Sequence, residues 1–264
     1  PIYNDKIIVP YPWESLAAWG EADSASNSNY LSTNAYLEPD SVTCGGLDNS
    51  GNYRDADRHT IGWYRRTIVV PNSWFDQRII LKFGAVDWQA RVWVNGQLVG
   101  ENENGYLPFE IDITDYLVGG QSATLVVRAY DPQDHSAQPA GKQIGWYVRS
   151  SGIWQTVYLE PRSKTYIQDF KTYTDIDTAQ VKINLNIAGG EIDGIGLAVK
   201  SNAPVKQTEI EVSGNQAFIL LHLEPELVQL WDVDTPHLYD IDFNLRKDGR
   251  VIDQVSSYFG MRKV

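Results

Sequence analysis

Short runs with an apolar residue at every second position dominate this chain. Residues 61–70, 79–83, 89–94, 124–130 and 155–160 are rich in β-branched and aromatic residues, with turn-forming residues between the runs. The pattern resumes after residue 163, in residues 168–174, 181–187, 196–201, 207–212, 217–223, 238–246 and 251–258. Successive side chains of a strand point to opposite faces of its sheet, so this alternation predicts strands. Helical periodicity is nearly absent, and we therefore predict an all-β fold.

Two dipeptides predict tight hairpins. Asn95-Gly96 separates the apolar runs of residues 91–94 and 97–99, and Asp248-Gly249 separates the last two predicted strands. A type I′ turn needs positive φ at both central residues, and these residue pairs are among the few that tolerate it. We expect each pair to form the tip of a two-residue hairpin.

The chain is long enough for two domains. Of its nine tryptophans only Trp231 lies after residue 162, whereas valine, isoleucine and leucine continue throughout the 264 residues. This shift in composition predicts a domain boundary near Pro161-Arg162-Ser163, which gives domains of residues 1–162 and 163–264. About seven short strands in roughly 100 residues are typical of an immunoglobulin-like sandwich, which we predict for the second domain. The longer loops and more numerous aromatic residues of the first domain favour a jelly-roll sandwich.

Residues 14–60 fit neither pattern well. They are rich in serine, asparagine, aspartate and glycine and contain few paired apolar positions. We interpret this stretch as a long, partly ordered loop.

The charge of the chain excludes some classes of partner. The formal net charge is -12, and both predicted domains carry more acidic than basic residues. Binding to nucleic-acid phosphates requires concentrated lysine and arginine, so we expect no nucleic-acid partner. No apolar run approaches the ~20 residues of a membrane-spanning helix, so we expect no membrane partner either. Neutral ligands such as sugars remain compatible with this composition.

Cysteine and histidine usage offers no metal site. Cys44 is the only cysteine, so it cannot form an internal disulfide, and no Cys/His cluster has the spacing of a zinc site. We predict no metal and no cofactor. The sequence leaves the compartment open and favours a bacterial periplasmic or secreted location over a cytoplasmic one.

Five motifs, taken in order along the chain, resemble glycoside hydrolase family 2. They are Trp63-Tyr64-Arg65-Arg66, Phe83-Gly84-Ala85-Val86-Asp87, Val92-Trp93-Val94-Asn95-Gly96, the turn and strand of residues 151–161 that begin with Ser151-Gly152-Ile153-Trp154, and residues 230–239 around Trp231. The resemblance implies that residues up to about 162 form the sugar-binding jelly roll of the family and that the following residues form its immunoglobulin-like domain. Residues 258–264 resemble the strand that leads into the (β/α)8 barrel of the family. We therefore expect the chain to be part of a larger hydrolase of β-galactosidase or β-glucuronidase type.

The resemblance also implies that this chain carries no catalytic residue. Retaining glycosidases need two carboxyl groups roughly 5 to 5.5 Å apart, and in this family both are glutamates on barrel strands. The acid/base glutamate of the family follows an asparagine, as Glu103 follows Asn102 here. Glu103, however, lies in the segment that follows the Asn-Gly hairpin of the jelly roll, so we expect it not to be catalytic.

A long polar loop between two predicted strands, residues 131–146, is the candidate carbohydrate contact. Sugars offer a C–H face for aromatic stacking and hydroxyls for polar side chains, and this loop supplies both kinds of partner. The candidate residues are Asp131, His135, Gln143, Trp146 and Arg149. The alternative is a polar loop that packs against a neighbouring domain. The loop departs from the galactosidases of the family, since Gly145-Trp146 stand where they place an acidic residue.

Three functions stay open at this point. The chain is a non-catalytic fragment that supports the barrel and shapes its substrate pocket, or an independent carbohydrate-binding module, or a ligand-free structural or dimerising pair of sandwiches. An exposed, flat tryptophan or tyrosine would favour a binding module, because a scaffold buries its rings. Homo-oligomerisation is compatible with each of the three.

Overall fold

The computed structural model of the chain describes residues 61–118, 120–132, 150–189 and 195–263. It also describes residue 9 and the strand segments 5–7, 33–39, 46–47, 53–54 and 59–60. Contacts between Cα atoms divide the chain into two compact units, Pro1–Pro161 and Arg162–Val264. Each unit has its own hydrophobic core.

The described part of the chain consists of β-strands with three short 3₁₀ turns, at Asn72–Trp74, Thr114–Tyr116 and Pro225–Leu227. In the first unit the strands are β1 (Asp5–Ile7), β2 (Thr33–Pro39), β3 (Gly46–Leu47), β4 (Tyr53–Arg54), β5 (His59–Val69), β6 (Arg78–Phe83), β7 (Val86–Asp87), β8 (Gln89–Val94), β9 (Gln97–Glu103), β10 (Phe109–Asp112), β11 (Ser122–Tyr130), β12 (Gly152–Ile153) and β13 (Val157–Arg162). In the second unit they are β14 (Thr165–Asp175), β15 (Gln180–Gly189), β16 (Ile195–Ser201), β17 (Val205–Ser213), β18 (Gln216–Leu223), β19 (Tyr239–Lys247) and β20 (Arg250–Phe259). The all-β prediction is confirmed. Among these elements none is a helix long and apolar enough to cross a membrane.

The first unit is a jelly-roll sandwich. A six-stranded antiparallel sheet has the order β1-β2-β5-β11-β8-β9, and a three-stranded sheet has the order β10-β6-β13. Alternate residues of β8 and β11 are buried, as their sequence pattern predicts. They pack with residues of β6 and with the stacked rings of Phe83 and Phe109, whose centroids are 4.6 Å apart. The short strands β7 and β12 pair with each other at one end of this sandwich.

Both predicted hairpins are confirmed. Asn95 and Gly96 have φ angles of 50° and 82° and connect β8 directly to β9. Asp248 and Gly249 have φ angles of 49° and 75° and connect β19 to β20. The Asn95 side chain also holds the adjoining strand, because its Oδ1 accepts a hydrogen bond of 2.9 Å from the backbone N–H of Thr124.

The second unit is an immunoglobulin-like sandwich of two antiparallel sheets. Their strand orders are β14-β15-β18-β17 and β16-β19-β20. Alternate residues of β15 and β18 face alternate residues of β19 across the core. Phe170 and Phe243 join the two layers, with ring centroids 4.8 Å apart. Burial at every second position explains why the alternating sequence pattern identified these strands.

The interpretation of residues 14–60 as a long loop is wrong in part. β2, β3 and β4 lie within this stretch, and β2 pairs with β5 in the six-stranded sheet. β2 contains only three strongly apolar residues, Ala35, Tyr36 and Leu37, so its pattern is weak. Strand formation here depends on backbone hydrogen bonds to β5, which the local sequence does not reveal. The short strands β7, β10 and β12 were likewise absent from the predicted set.

Candidate functional site

A buried hydrogen bond joins the first residue of the predicted carbohydrate loop to Ser151, which lies a few residues beyond the end of the predicted loop. Asp131 directly follows β11 and Ser151 directly precedes β12, and each residue is 0% exposed. The Ser151 hydroxyl donates to Oδ2 of Asp131 at 2.6 Å. This bond orients the carboxylate and brings together two residues that lie twenty positions apart in the sequence.

The core of the first unit fixes the position of β12. Gly152 and Ile153 pair with Asp87 and Val86 of β7. The backbone N–H of Ile153 donates to the hydroxyl of Tyr64 at 3.2 Å, and Tyr64 is itself buried in the core. Strand pairing and the buried Tyr64 hydroxyl therefore hold the backbone that follows Ser151.

A second cluster, built around Trp154, lies at the other end of β12. The Trp154 indole Nε1 donates to the carbonyl oxygen of Gly105 at 2.8 Å. The ring of Tyr106 stands edge-on to the Trp154 ring, with centroids 6.3 Å apart and an interplanar angle of 69°. Tyr106 is 49% exposed, whereas Trp154 is half-buried. Tyr106 is thus the accessible aromatic side chain of this cluster.

The turn that carries Tyr106 is tightly held. Oδ1 of Asn104 accepts hydrogen bonds of 2.9 Å from the backbone N–H groups of Tyr106 and Leu107. Gly105 lies against the buried carboxylate of Asp87, and a Cβ added at Gly105 would be 2.2 Å from Oδ1 of Asp87. Only glycine fits there without a shift of its neighbours.

The structure brings together residues that the sequence did not connect. Asp87, Gly105 and Trp154 meet through the pairing of β7 with β12, which are strands of two residues each. Contacts of such long sequence separation leave no local pattern. The only available signal was the presence of Asp87 and Trp154 in motifs shared with a known family.

The other predicted contact residues are not described. His135, Gln143, Trp146 and Arg149 lie in residues 133–149, which are outside the described residues. Their roles therefore remain predictions. Glu103 is described. It lies on the edge strand β9, where its Oε1 accepts a hydrogen bond of 2.6 Å from the side-chain amide of Gln89.

Comparisons with known proteins assign both units. Residues 49–162 match the family described as "Glycosyl hydrolases family 2, sugar binding domain", and residues 165–262 match "Glycosyl hydrolases family 2". The chain is 26% identical over 219 residues to a β-galactosidase of Thermoanaerobacter pseudethanolicus, a match that covers 80% of this chain and 30% of the relative. It is 28% identical over 235 residues to a β-galactosidase large subunit of Latilactobacillus sakei, covering 87% of this chain and 36% of the relative. The chain thus spans about a third of the length of these relatives.

Solved structures share the fold. A β-glycosidase from Bacteroides vulgatus matches with a TM-score of 0.62 and 21% identity, over 98% of this chain and 33% of that protein. A β-glucuronidase from Ruminococcus gnavus matches with a TM-score of 0.62 and 19% identity, over 89% of this chain and 40% of that protein. The two consecutive domain matches cover most of the sequence, and the chain therefore belongs to glycoside hydrolase family 2.

Proposed function

We propose that this chain is a non-catalytic part of a β-galactosidase or β-glucuronidase type hydrolase, in which it supports the catalytic barrel and shapes the rim of its substrate pocket. Two findings support this role. The relatives with these names are roughly three times as long as the region they share with this chain. The first unit also matches a family domain that is described as sugar binding.

The buried bond between Asp131 and Ser151 carries the proposal. A loop that contacts substrate needs a base that does not move, because misplaced contact groups lose much of their effect. The 2.6 Å bond supplies such a base at both ends of residues 132–150. Burial strengthens the bond, since water does not compete for the carboxylate.

The predicted loop residues would then act as follows. Trp146 would stack on a sugar ring or on a barrel loop. Gln143, Arg149 and His135 would donate hydrogen bonds to sugar hydroxyls or fix the loop. Asp131, which is fully buried and bonded to Ser151, would act as the anchor of the loop rather than as a direct sugar contact.

The reading frame around this segment gives the first test. A downstream (β/α)8 barrel with two glutamates is expected, and the absence of such a barrel would refute the proposal. In the intact enzyme, Trp146→Ala should raise KM or lower kcat/KM without a change in melting temperature. Phe75→Ala, which removes another exposed ring of the first unit, should leave both constants unchanged. Parental kinetics in Trp146→Ala would leave the chain with a supporting role alone.

A stand-alone carbohydrate-binding module is the second candidate, and the exposure of Tyr106 favours it. An accessible aromatic ring on a rigid turn is a typical stacking platform for sugars. Micromolar binding of the isolated chain to an insoluble polysaccharide, lost in Tyr106→Ala and kept in Phe75→Ala, would establish this function. The absence of such binding would leave the first proposal in place.

A further inference from the structure

The outer face of the β14-β15-β18-β17 sheet departs from the usual pattern of a sandwich. A solvent-facing sheet surface normally carries polar side chains. Here Phe218 is 43% exposed at the middle of β18, with half-buried Leu220 beside it on the same face. They lie in an open groove of ≈ 460 Å³, whose other side chains include Lys182, Asn184 and Glu211.

In two neighbouring rows of this face, the strand register places the basic side chains in one column and the acidic side chains in another. A row is a set of residues paired from strand to strand across the sheet. One row consists of Tyr173, Lys182, Leu220 and Glu209. The neighbouring row consists of Lys171, Asn184, Phe218 and Glu211. The lysines thus lie on β14 and β15, the apolar side chains on β18, and the glutamates on β17.

Local contacts leave most of these charges available. Glu211 and Lys182 make no ion pair with any described residue, and Lys171 lies over the Tyr173 ring at 5.3 Å. Glu209 contacts His222 at 3.1 Å and Gln207 at 3.0 Å, both at its Oε1. The same face of β14 carries two further exposed acids outside these rows, and both keep their charge: Asp169 accepts a hydrogen bond from Asn186, and Asp175 accepts from the backbone N–H groups of residues 177 and 178.

We propose that this face binds the same face of a second copy of the chain. A twofold axis that lies in the interface, parallel to the strands, places β17 of one copy over β14 of the other. Glu211 then faces Lys171 of the second copy, and Glu209 comes within reach of the lysine column. The two Phe218 side chains cover the centre. An axis perpendicular to the strands would instead place glutamates over glutamates, so the charges select one arrangement.

The area of the face sets the expected strength. Four strands about 4.8 Å apart and rows spanning about seven residues give a face of roughly 19 by 24 Å. This is smaller than a standard specific interface, so the dimer should be weak and reversible. Exposed ion pairs also make the dimer sensitive to salt.

Charge-reversal variants of the 264-residue chain test the proposal. Sedimentation velocity from 10 μM to 1 mM should show a concentration-dependent dimer that weakens several-fold between 50 and 500 mM salt. Two double variants should each weaken dimerisation at least tenfold. One is Glu209→Lys/Glu211→Lys, and the other is Lys171→Glu/Lys182→Glu. The quadruple variant should restore it, because the two columns exchange sign. Phe218→Ser should weaken dimerisation at constant charge.

Matched controls use exposed residues away from this face. The double variant Glu226→Lys/Asp234→Lys changes the net charge by the same amount as Glu209→Lys/Glu211→Lys does. Tyr258→Ser removes an exposed ring, as Phe218→Ser does. Both controls should dimerise like the parent. Thermal melts of every variant check the fold. A parent that remains monomeric at 1 mM overturns the proposal. So does a dimer that survives either charge reversal, or a quadruple variant that stays monomeric although it is folded. None of these outcomes bears on the role proposed for the loop of the first unit.

Discussion

Two glycines of the first unit are required for different physical reasons. Gly96 has a φ of 82°, and an added Cβ would meet no atom within 4 Å. Gly105 has no room, since its added Cβ would be 2.2 Å from Asp87 Oδ1. Substitution at Gly96 thus tests backbone conformation, and substitution at Gly105 tests packing.

Gly96→Val should lower the free energy of unfolding by roughly 1 kcal/mol or more, because a β-branched residue resists positive φ. Urea denaturation measures the change. Gln97→Val adds the same side chain at the next, exposed strand position and should cost little. Parental stability in Gly96→Val would contradict the strain argument.

Gly105→Ala should cost roughly 1–3 kcal/mol, since the new methyl group displaces the Asp87 carboxylate or the Tyr106 turn. Asp87→Ala/Gly105→Ala should be less destabilised than the sum of the two single changes, because the clash is then absent. Strict additivity in this double-mutant cycle would show that the two residues do not compete for space.

At the scale of elements, the sequence predicted what local patterns encode. Both hairpins and most long strands were identified, because turn chemistry and period-2 burial are local properties. β2 was missed because its pairing with β5 supplies most of what makes it a strand. The contact of Gly105 with Trp154 was missed because β7 and β12 create it over 49 residues of sequence separation. Asp131 was predicted only as a candidate carbohydrate contact, which stays a prediction, and its buried bond to Ser151 was not predicted.

Ser151→Ala should destabilise the first unit by about 1–3 kcal/mol, because it leaves a buried carboxylate short of a donor. A matched control exists in the second unit. The Ser256 hydroxyl donates to Asp242 at 2.5 Å, but this pair is exposed. Ser256→Ala should therefore change the unfolding free energy by no more than about 0.5 kcal/mol. Equal losses in both variants would show that burial does not strengthen the Asp131 contact.

The carboxylate of Asp112, the last residue of β10, should make the stability of the first unit sensitive to acid. Burial alone would raise the pKa of Asp112, but hydrogen bonds from Thr114 and Arg78 outweigh it, so that the pKa lies below its usual value of 3.8. Because the folded state depresses this pKa, the stabilisation is present above pH 3.8 and is lost as the pH falls through the lower, folded-state value.

Asp112→Asn should consequently have a lower free energy of unfolding than the parent at pH 6. Between pH 5 and pH 2, its free energy of unfolding should fall by less than that of the parent. Urea denaturation at each pH measures both effects. Identical slopes for the parent and Asp112→Asn would exclude Asp112 from the acid response.

At the scale of the whole molecule, each unit has a hydrophobic core of its own, and the proposed role of the chain is that of a scaffold beside a catalytic barrel. A loop on such a scaffold forms only part of a pocket if the barrel supplies the rest. Free galactose or glucuronate should then bind the isolated chain with a millimolar or weaker Kd. This corresponds to a favourable binding free energy of no more than about 4 kcal/mol. Titration calorimetry or ligand-observed NMR measures this, and micromolar binding would instead favour the carbohydrate-binding module.

The isolated chain should hydrolyse no aryl glycoside. Glycosidic bond cleavage in this family depends on two barrel carboxylates, and removal of a catalytic pair leaves little beyond binding effects. The purified chain can be assayed against nitrophenyl galactoside, glucuronide and mannoside, with Glu103→Gln as the informative variant. Glu103 follows an asparagine, as the acid/base of the family does, but it lies on an exposed edge strand and is hydrogen-bonded to Gln89. Turnover by the parent chain that disappears in Glu103→Gln would place the chemistry in the jelly roll. Turnover that is unaffected by Glu103→Gln would instead point to a contaminating enzyme or to another carboxylate. A Glu101→Gln variant, on the same strand, would test one such carboxylate.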